Sequence, residues 1–289
     1  MKKDLFGLDP EELERLFLPL GLKKFRARQV FEWLHEKYVA SFGEMRNISS
    51  ADREILEENF TLLPCDVKVE REEYSHDTLT TKLLIKFPDG NAVETVLMKH
   101  DYGYSACVSS QAGCAMDCAF CASTLDGCAR SLTAAEILVQ VHLFGMALKE
   151  KWQAVSRIVV MGSGEPMMNY ANVMAAPTFL HREDVANISY RSMTISTCGI
   201  IPGIEDLTEE GKPINLAVSL HAARSDLRNE IMPVNRIYPF IDVIAAAKRY
   251  AELSGLQVTY EYIIIRDVND GILDAELVSH VLKFKHASV

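Results

Sequence analysis

SACVSSQAGCAMDCAFC, residues 105–121, decides how this chain is read. It opens as a strand (105–110) and closes on Cys114, Cys118 and Cys121, spaced C-x3-C-x2-C on a short loop. Downstream, an apolar β-branched run, a turn of small residues and a helical period recur in that order. Strands are predicted at 156–161, 193–197, 214–220 and 257–265, with helices at about 133–149, 170–181, 201–208, 239–254 and 272–284. Such alternation implies an α/β fold with parallel strands, in an open sheet or a barrel. Ligand chemistry then belongs at the C-terminal ends of the strands, where the most distinctive motifs of this chain fall. Residues 286–289 read as the start of a further strand, so the sequence predicts an α/β domain truncated at its C-terminus.

Upstream, the first sixty residues read as helices. Asp9 N-caps one, with Pro10 at its first position and Glu12 at N3. Ala27, Val30, Phe31, Leu34 and Tyr38 recur at helical spacing in a second, and a third follows Ser49 or Ser50. Residues 21–28 are compactly basic, read either as a solvated helix entry or as a phosphate-contacting surface. At 79–98, Thr81, Leu83, Ile85 and Phe87 alternate, Pro88-Asp89-Gly90-Asn91 turns, and Val93, Thr95 and Leu97 alternate back. That is a β-hairpin with Glu94 on its outward face.

The bulk composition constrains partners. With 289 residues, 48% hydrophobic and 24% charged, the chain is long enough for one large α/β core and an appendage. No apolar run reaches membrane-spanning length, and the N-terminus lacks the apolar segment of a signal peptide, so a cytoplasmic protein is expected. A net charge of −10 disfavours general attraction to polyanions, so any nucleic acid must meet a local patch. Five of the seven cysteines lie between 107 and 128, which favours metal or redox chemistry over a disulfide framework.

Three thiolates on one loop can hold three irons of a [4Fe–4S] cubane. The fourth iron is then open to the amino and carboxylate groups of S-adenosylmethionine, whose one-electron cleavage yields a 5′-deoxyadenosyl radical. The spacing alone leaves two other readings open: zinc with Cys107 or Cys128 as fourth ligand, and packed buried thiols. Three strand ends agree with the cluster. Gly162-Ser163-Gly164-Glu165 allows close backbone approach and offers a carboxylate to an ammonium. Ser196-Thr197-Cys198-Gly199 suits a ribose or a carboxylate, and Ser219-Leu220-His221 ends the next strand.

Taken together, CVSSQAGCAMDCAFC (107–121), MGSGEPMMNY (161–170), STCGIIPGI (196–204), LAVSLHAARSDLRNEIMPVN (216–235), DVNDG (267–271) and FRARQVFEWLHEK (25–37) resemble the radical-SAM adenine-C2 methyltransferases of 23S rRNA and tRNA. The related C8 methyltransferases that confer antibiotic resistance share the scaffold. The resemblance implies a partial (β/α) radical-SAM barrel (101–289), an N-terminal helical RNA-binding accessory domain (1–62) and a β-hairpin linker (63–100). It implies that Cys114, Cys118 and Cys121 bind the cluster and that Gly164, Glu165, Ser196, Ser219, Leu220 and His221 contact S-adenosylmethionine. It makes Glu94 the proton acceptor, against the plain reading of that residue as solvent-exposed. Cys107 becomes the partner, in a transient disulfide, of a methyl-carrying cysteine. One S-adenosylmethionine methylates that carrier, and a second generates the radical that activates the methyl group for addition to adenine C2. No cysteine follows Cys198, and Cys198 sits in a pocket motif, so the carrier has no counterpart among these residues. A monomer acting on 23S rRNA and tRNA with an external electron donor is the implied assembly. A C8 methyltransferase and a non-catalytic RNA-binding remnant are the alternatives.

Overall fold

The computed structural model describes residues 2–64, 68–74, 79–151, 153–284 and 286–289, with backbone alone at 68–74. Along the chain run β1 (Lys3–Asp4), α1 (Pro10–Phe17), α2 (Phe25–His35), α3 (Ser50–Asn59), β2 (Phe60–Thr61), β3 (Lys68–Tyr74), β4 (Thr80–Lys86), β5 (Ala92–His100) and β6 (Gly103–Cys107). Then come β7 (Gln111–Gly113), β8 (Cys128–Ser131), α4 (Ala134–Lys149), β9 (Val155–Val160), α5 (Tyr170–His181), β10 (Met193–Thr197), α6 (Ile201–Glu210) and β11 (Asn215–Ser219). The chain continues through α7 (Ser225–Ile231), α8 (Phe240–Ser254), β12 (Val258–Glu261), α9 (Ile272–Val281) and β13 (Ala287–Ser288). Two compact units result. The first comprises Met1–Val108, Leu132–Arg157 and Met174–Ile188, and the second Ser109–Ser131, Ile158–Val173 and Ser189–Val289.

In the first unit α1 begins as its sequence predicts. The Asp9 carboxylate accepts from Glu12 N at 2.8 Å and the Glu12 carboxylate from Asp9 N at 2.9 Å, closing a capping box. The α2 stripe buries Ala27, Val30, Phe31 and Leu34. Tyr38 is not on that helix. It sits beyond the helix end at φ +49°, and its ring presses on Gly145 of α4, where a Cβ would come within 2.3 Å of it. The basic stretch is largely neutralised: Lys24 pairs with Glu14 at 2.6 Å, Arg26 with Asp52 at 2.7 Å, and Arg28 with Glu32 and Asp184 at 3.0 Å.

The hairpin forms with Ile85 opposite Val93 and Leu83 opposite Thr95. Residues 65–67 and 75–78 of the predicted linker lie outside the described residues. β6 begins earlier than predicted, at Gly103, and pairs antiparallel with β5. Its orientation follows from the connection: two residues between His100 and Gly103 can join only antiparallel neighbours.

The second unit holds the parallel strands. Ile195 of β10 lies beside Val160 of β9, Ser196 beside Ala217 of β11, Ser219 beside Glu261 of β12, and Val258 beside Ala287 of β13. Leu216, Ala217 and Val218 are all fully enclosed, as the continuous apolar run of a parallel strand requires. Among the described residues this run is open at β13 and does not close into a barrel. The strand start read at 286–289 is thus β13. β12 is shorter than predicted because Asn269 draws the chain out of the sheet. Its side chain accepts from Ile265 N at 2.6 Å and donates to the Ile263 carbonyl at 2.7 Å and the His221 carbonyl at 2.8 Å. Neither the seven-residue α7 nor the β7–β8 pair was anticipated. No helix among the described residues is long and apolar enough to cross a membrane.

Candidate active site

The cysteine loop is clamped at its base by β7 and β8. Cys114 N donates to the Gly127 carbonyl at 2.9 Å, and Gly113, at φ +79°, passes so close that a Cβ there would lie 2.0 Å from the same oxygen. Only glycine fits that approach. Asp117 turns the loop at φ +54°, Cys121 N donates to the Cys118 carbonyl at 3.0 Å, and Thr124 Oγ1 caps the Cys121 carbonyl at 2.8 Å. Phe120 meets the His221 ring edge-on at 4.7 Å, tying the loop to the end of β11.

Cys114, Cys118, Cys121, Gly164, Glu165, Ser196, Ser219 and His221 line one cavity of about 210 Å³. Leu220 is buried, with its amide on the Glu261 carbonyl at 3.0 Å. Glu94 and Cys107 belong to the first unit. The Glu94 side chain is 58% exposed and paired with Lys82 at 3.0 Å, in keeping with its outward position on the hairpin. Cys107 ends β6, its carbonyl accepting from Thr95 Oγ1 at 2.7 Å.

Each strand-end group has a defined polarity. Glu165 is enclosed, and its carboxylate accepts from Met167 N at 3.0 Å and Cys198 N at 2.8 Å. Burial raises its pKa, while the hydrogen bonds from Cys198 pull it back. Gly164, at φ +104°, leaves no room for a Cβ, which would meet Gln111 Cβ at 2.5 Å. The Gln111 side chain in turn accepts from Glu165 N at 2.9 Å. Ile263 N donates to His221 Nδ1 at 3.0 Å, so the neutral ring carries its proton on Nε2. Burial first, and Arg228 second, lower the His221 pKa to about 4.

Sequence reasoning missed two groups. Arg228 is fully buried and donates to the carbonyls of Leu220 (2.9 Å), Cys198 (2.8 Å) and Ser219 (3.0 Å) and to Asn235 Oδ1 (3.0 Å). Glu261 ends β12 and accepts from the hydroxyls of Ser196 and Ser219. No local signal marks Glu261, whose serines end other strands, and Arg228 is buried by partners that include Cys198, 30 positions away.

The donor set fits a cubane better than a mononuclear metal. Among the described residues no three His, Cys, Asp or Glu side chains converge as ligands of one ion. Thiolates of a cubane bind different irons and need not converge so tightly. Burial, then the neighbouring Cys114 and Cys121, push the Cys118 thiol up to about 12, with Arg228 opposing. Thiolates crowded in this way are stabilised by a bound cationic centre. Cys198 is a different thiol: burial and Glu165 hold it protonated, so it is a poor nucleophile. No disulfide is present among the described residues.

Residues 3–62 match the family described as ribosomal RNA large subunit methyltransferase N-terminal domain, and residues 108–276 match the radical SAM superfamily. Probable dual-specificity RNA methyltransferase RlmN of Symbiobacterium thermophilum is 44% identical over 98% of this chain and 75% of its own length. Its namesake in Staphylococcus aureus is 43% identical over 98% of this chain and 77% of its own length. The crystal structure of a radical SAM methyltransferase from Sphaerobacter thermophilus superposes with a TM-score of 0.93 at 37% identity, covering 99% of this chain and 83% of that one. A shared fold, two matched segments and this degree of identity along nearly the whole chain mean that the protein belongs to the RlmN family of radical SAM methyltransferases.

Proposed function

We propose that this protein is a dual-specificity RNA methyltransferase of the cytoplasm, methylating C2 of adenine in 23S rRNA and tRNA with electrons from an external donor. The observation that carries the proposal is the single cavity on which the three cysteines and the ends of β9, β10 and β11 converge. The RlmN family uses a [4Fe–4S] cluster and S-adenosylmethionine, which together supply the radical. In this chain Cys114, Cys118 and Cys121 hold the cluster. Gly164 lets the backbone approach the ligand, and Glu165, Ser196, Ser219 and His221 orient polar groups of S-adenosylmethionine, with Leu220 backing them. Glu94, steadied by Lys82, accepts the C2 proton, and Cys107 is the residue that would pair with the methyl-carrying cysteine of the family's mechanism. Residues 1–62 serve as the RNA-binding accessory domain, 63–100 as the linker and 101–289 as the radical-SAM core.

Mass spectrometry of rRNA and tRNA from a methyltransferase-deficient host expressing the protein tests this. 2-Methyladenosine in both RNAs is the expected outcome, 8-methyladenosine would transfer the protein to the C8 branch, and neither product would overturn the proposal. Anaerobic reconstitution is expected to give about four irons per chain, lost in Cys118→Ala.

A further inference from the structure

Glu261 lines the same cavity as the cysteines, though no motif in the sequence marks it. Its Oε2 accepts from Ser196 Oγ at 3.3 Å and from Ser219 Oγ at 3.1 Å, so one oxygen joins the ends of β10 and β11. Its backbone carbonyl accepts from Leu220 N at 3.0 Å and His221 N at 3.2 Å, fixing where the carboxylate stands. A serine hydroxyl has one proton and two lone pairs. Both serines direct that proton to Glu261, so each presents only lone pairs to a ligand, beside a carboxylate that can only accept.

We infer that Glu261 is the positioning residue of this pocket: it commits Ser196 and Ser219 as acceptors, so that this corner takes a hydroxyl or ammonium group of the ligand and rejects a carboxylate. This sharpens the reading of Ser196, whose hydroxyl by itself suits either a ribose or a carboxylate. A ligand carboxylate placed here would set acceptor against acceptor beside a like charge. The polarity of the corner is therefore set by a residue on β12, and the serines alone would not have it. The inference rests on the cavity being the S-adenosylmethionine site.

Equilibrium binding to the anaerobically reconstituted protein tests it, with S-adenosylmethionine and with 5′-methylthioadenosine, which keeps the ribose and lacks the amino-acid group. Glu261→Gln removes the negative charge that holds both hydroxyl protons and puts an amide donor in place of one carboxylate oxygen. S-adenosylmethionine affinity is expected to fall about tenfold or more, with KM for its cleavage rising more than kcat falls. An equal loss for 5′-methylthioadenosine assigns the donors to the ribose; an unchanged affinity for it assigns them to the ammonium. In the Ser196→Ala/Ser219→Ala background, Glu261→Gln is expected to add little, because a positioning residue acts through what it positions. Additive losses there would overturn the inference, as would unchanged affinity in folded, cluster-loaded Glu261→Gln. If Glu261→Gln does not fold, Glu261→Asp, which keeps the charge but withdraws it by one methylene, must weaken binding for the inference to stand. A wild-type protein that fails to bind S-adenosylmethionine would instead refute the reading of the pocket.

Discussion

Two clusters of deeply buried polar side chains, one in each unit, are built in opposite ways. In the second unit the Arg228 guanidinium has three carbonyls and Asn235 as partners, and the Glu165 carboxylate and His221 Nδ1 receive backbone N–H groups. In the first unit His35 and His142 are just as deep, but among the described residues each leaves its Nε2 without a hydrogen bond. Rings surround them instead: Phe31 at 4.7 Å and Phe179 at 4.9 Å from His35, Phe6 at 4.9 Å and Tyr38 at 5.2 Å from His142. Hydrogen bonds fix atoms in direction as well as distance, whereas ring packing mainly fills space. The first arrangement suits a site that must aim ligand atoms. The second tolerates histidine only while it stays neutral.

Arg228 offers the strongest attack on that contrast. Arg228→Met fills a similar volume but strands the carbonyls of Cys198, Ser219 and Leu220. Denaturant unfolding is expected to record a loss of about 3–5 kcal/mol. A loss below about 1 kcal/mol would mean that the carbonyls find other donors, and the two clusters would then differ less than their geometry indicates.

The histidines give the next effect. Burial is the first cause lowering both pKa values to about 3, with Lys149 assisting at His142, and His142 and Arg182 at His35. An unfolded chain takes up these protons near pH 6.5 while the folded one refuses them. Their stabilising contribution is therefore fully present above pH 6.5 and is lost progressively as pH falls towards 3. From pH 7 to pH 5 this amounts to about 2 kcal/mol per histidine. Asp4, raised to about 7 mainly by burial, has the opposite slope: its cost grows as pH rises from 3.8 to 7. Comparing wild type with His142→Phe at both pH values cancels Asp4 and reads His142 together with its coulombic effect on His35. Parallel pH profiles for the two chains would show that His142 is not held neutral.

Glu94 marks the small end of the scale. Its ion pair with Lys82 is exposed, so Glu94→Gln is expected to change stability by no more than about 0.5 kcal/mol in thermal unfolding. Abolished RNA methylation alongside that unchanged stability would separate a chemical role for Glu94 from a structural one.

What the sequence made legible was local. The Asp9–Glu12 box, the hairpin turn, β10 and α5 were predicted to the residue because capping, alternation and helical period act over a few positions. The cysteine loop and the Gly164–Glu165 turn were visible for the same reason. Glu261 was not, because its two serines stand 65 and 42 positions away along the chain. β12 was predicted too long because its apolar run continues past the point where Asn269 captures the backbone. Tyr38 kept the helical spacing but not the helix: its backbone is left-handed, and its ring lies on Gly145, far off in sequence.

The Gly164–Gln111 contact has a consequence for how this protein can vary over generations. Gln111 meets the 163–165 turn through its amide N–H, which donates to the Ser163 carbonyl, and through its side chain, which accepts from Glu165 N. Any side chain at 164 would collide with the Cβ and backbone N of Gln111, and shortening the Gln111 side chain would leave both in the way while releasing Glu165 N from its acceptor. A single codon change at either position therefore begins with a loss. The two residues, 53 positions apart, therefore constrain each other, and through Gly164 that constraint reaches the cavity.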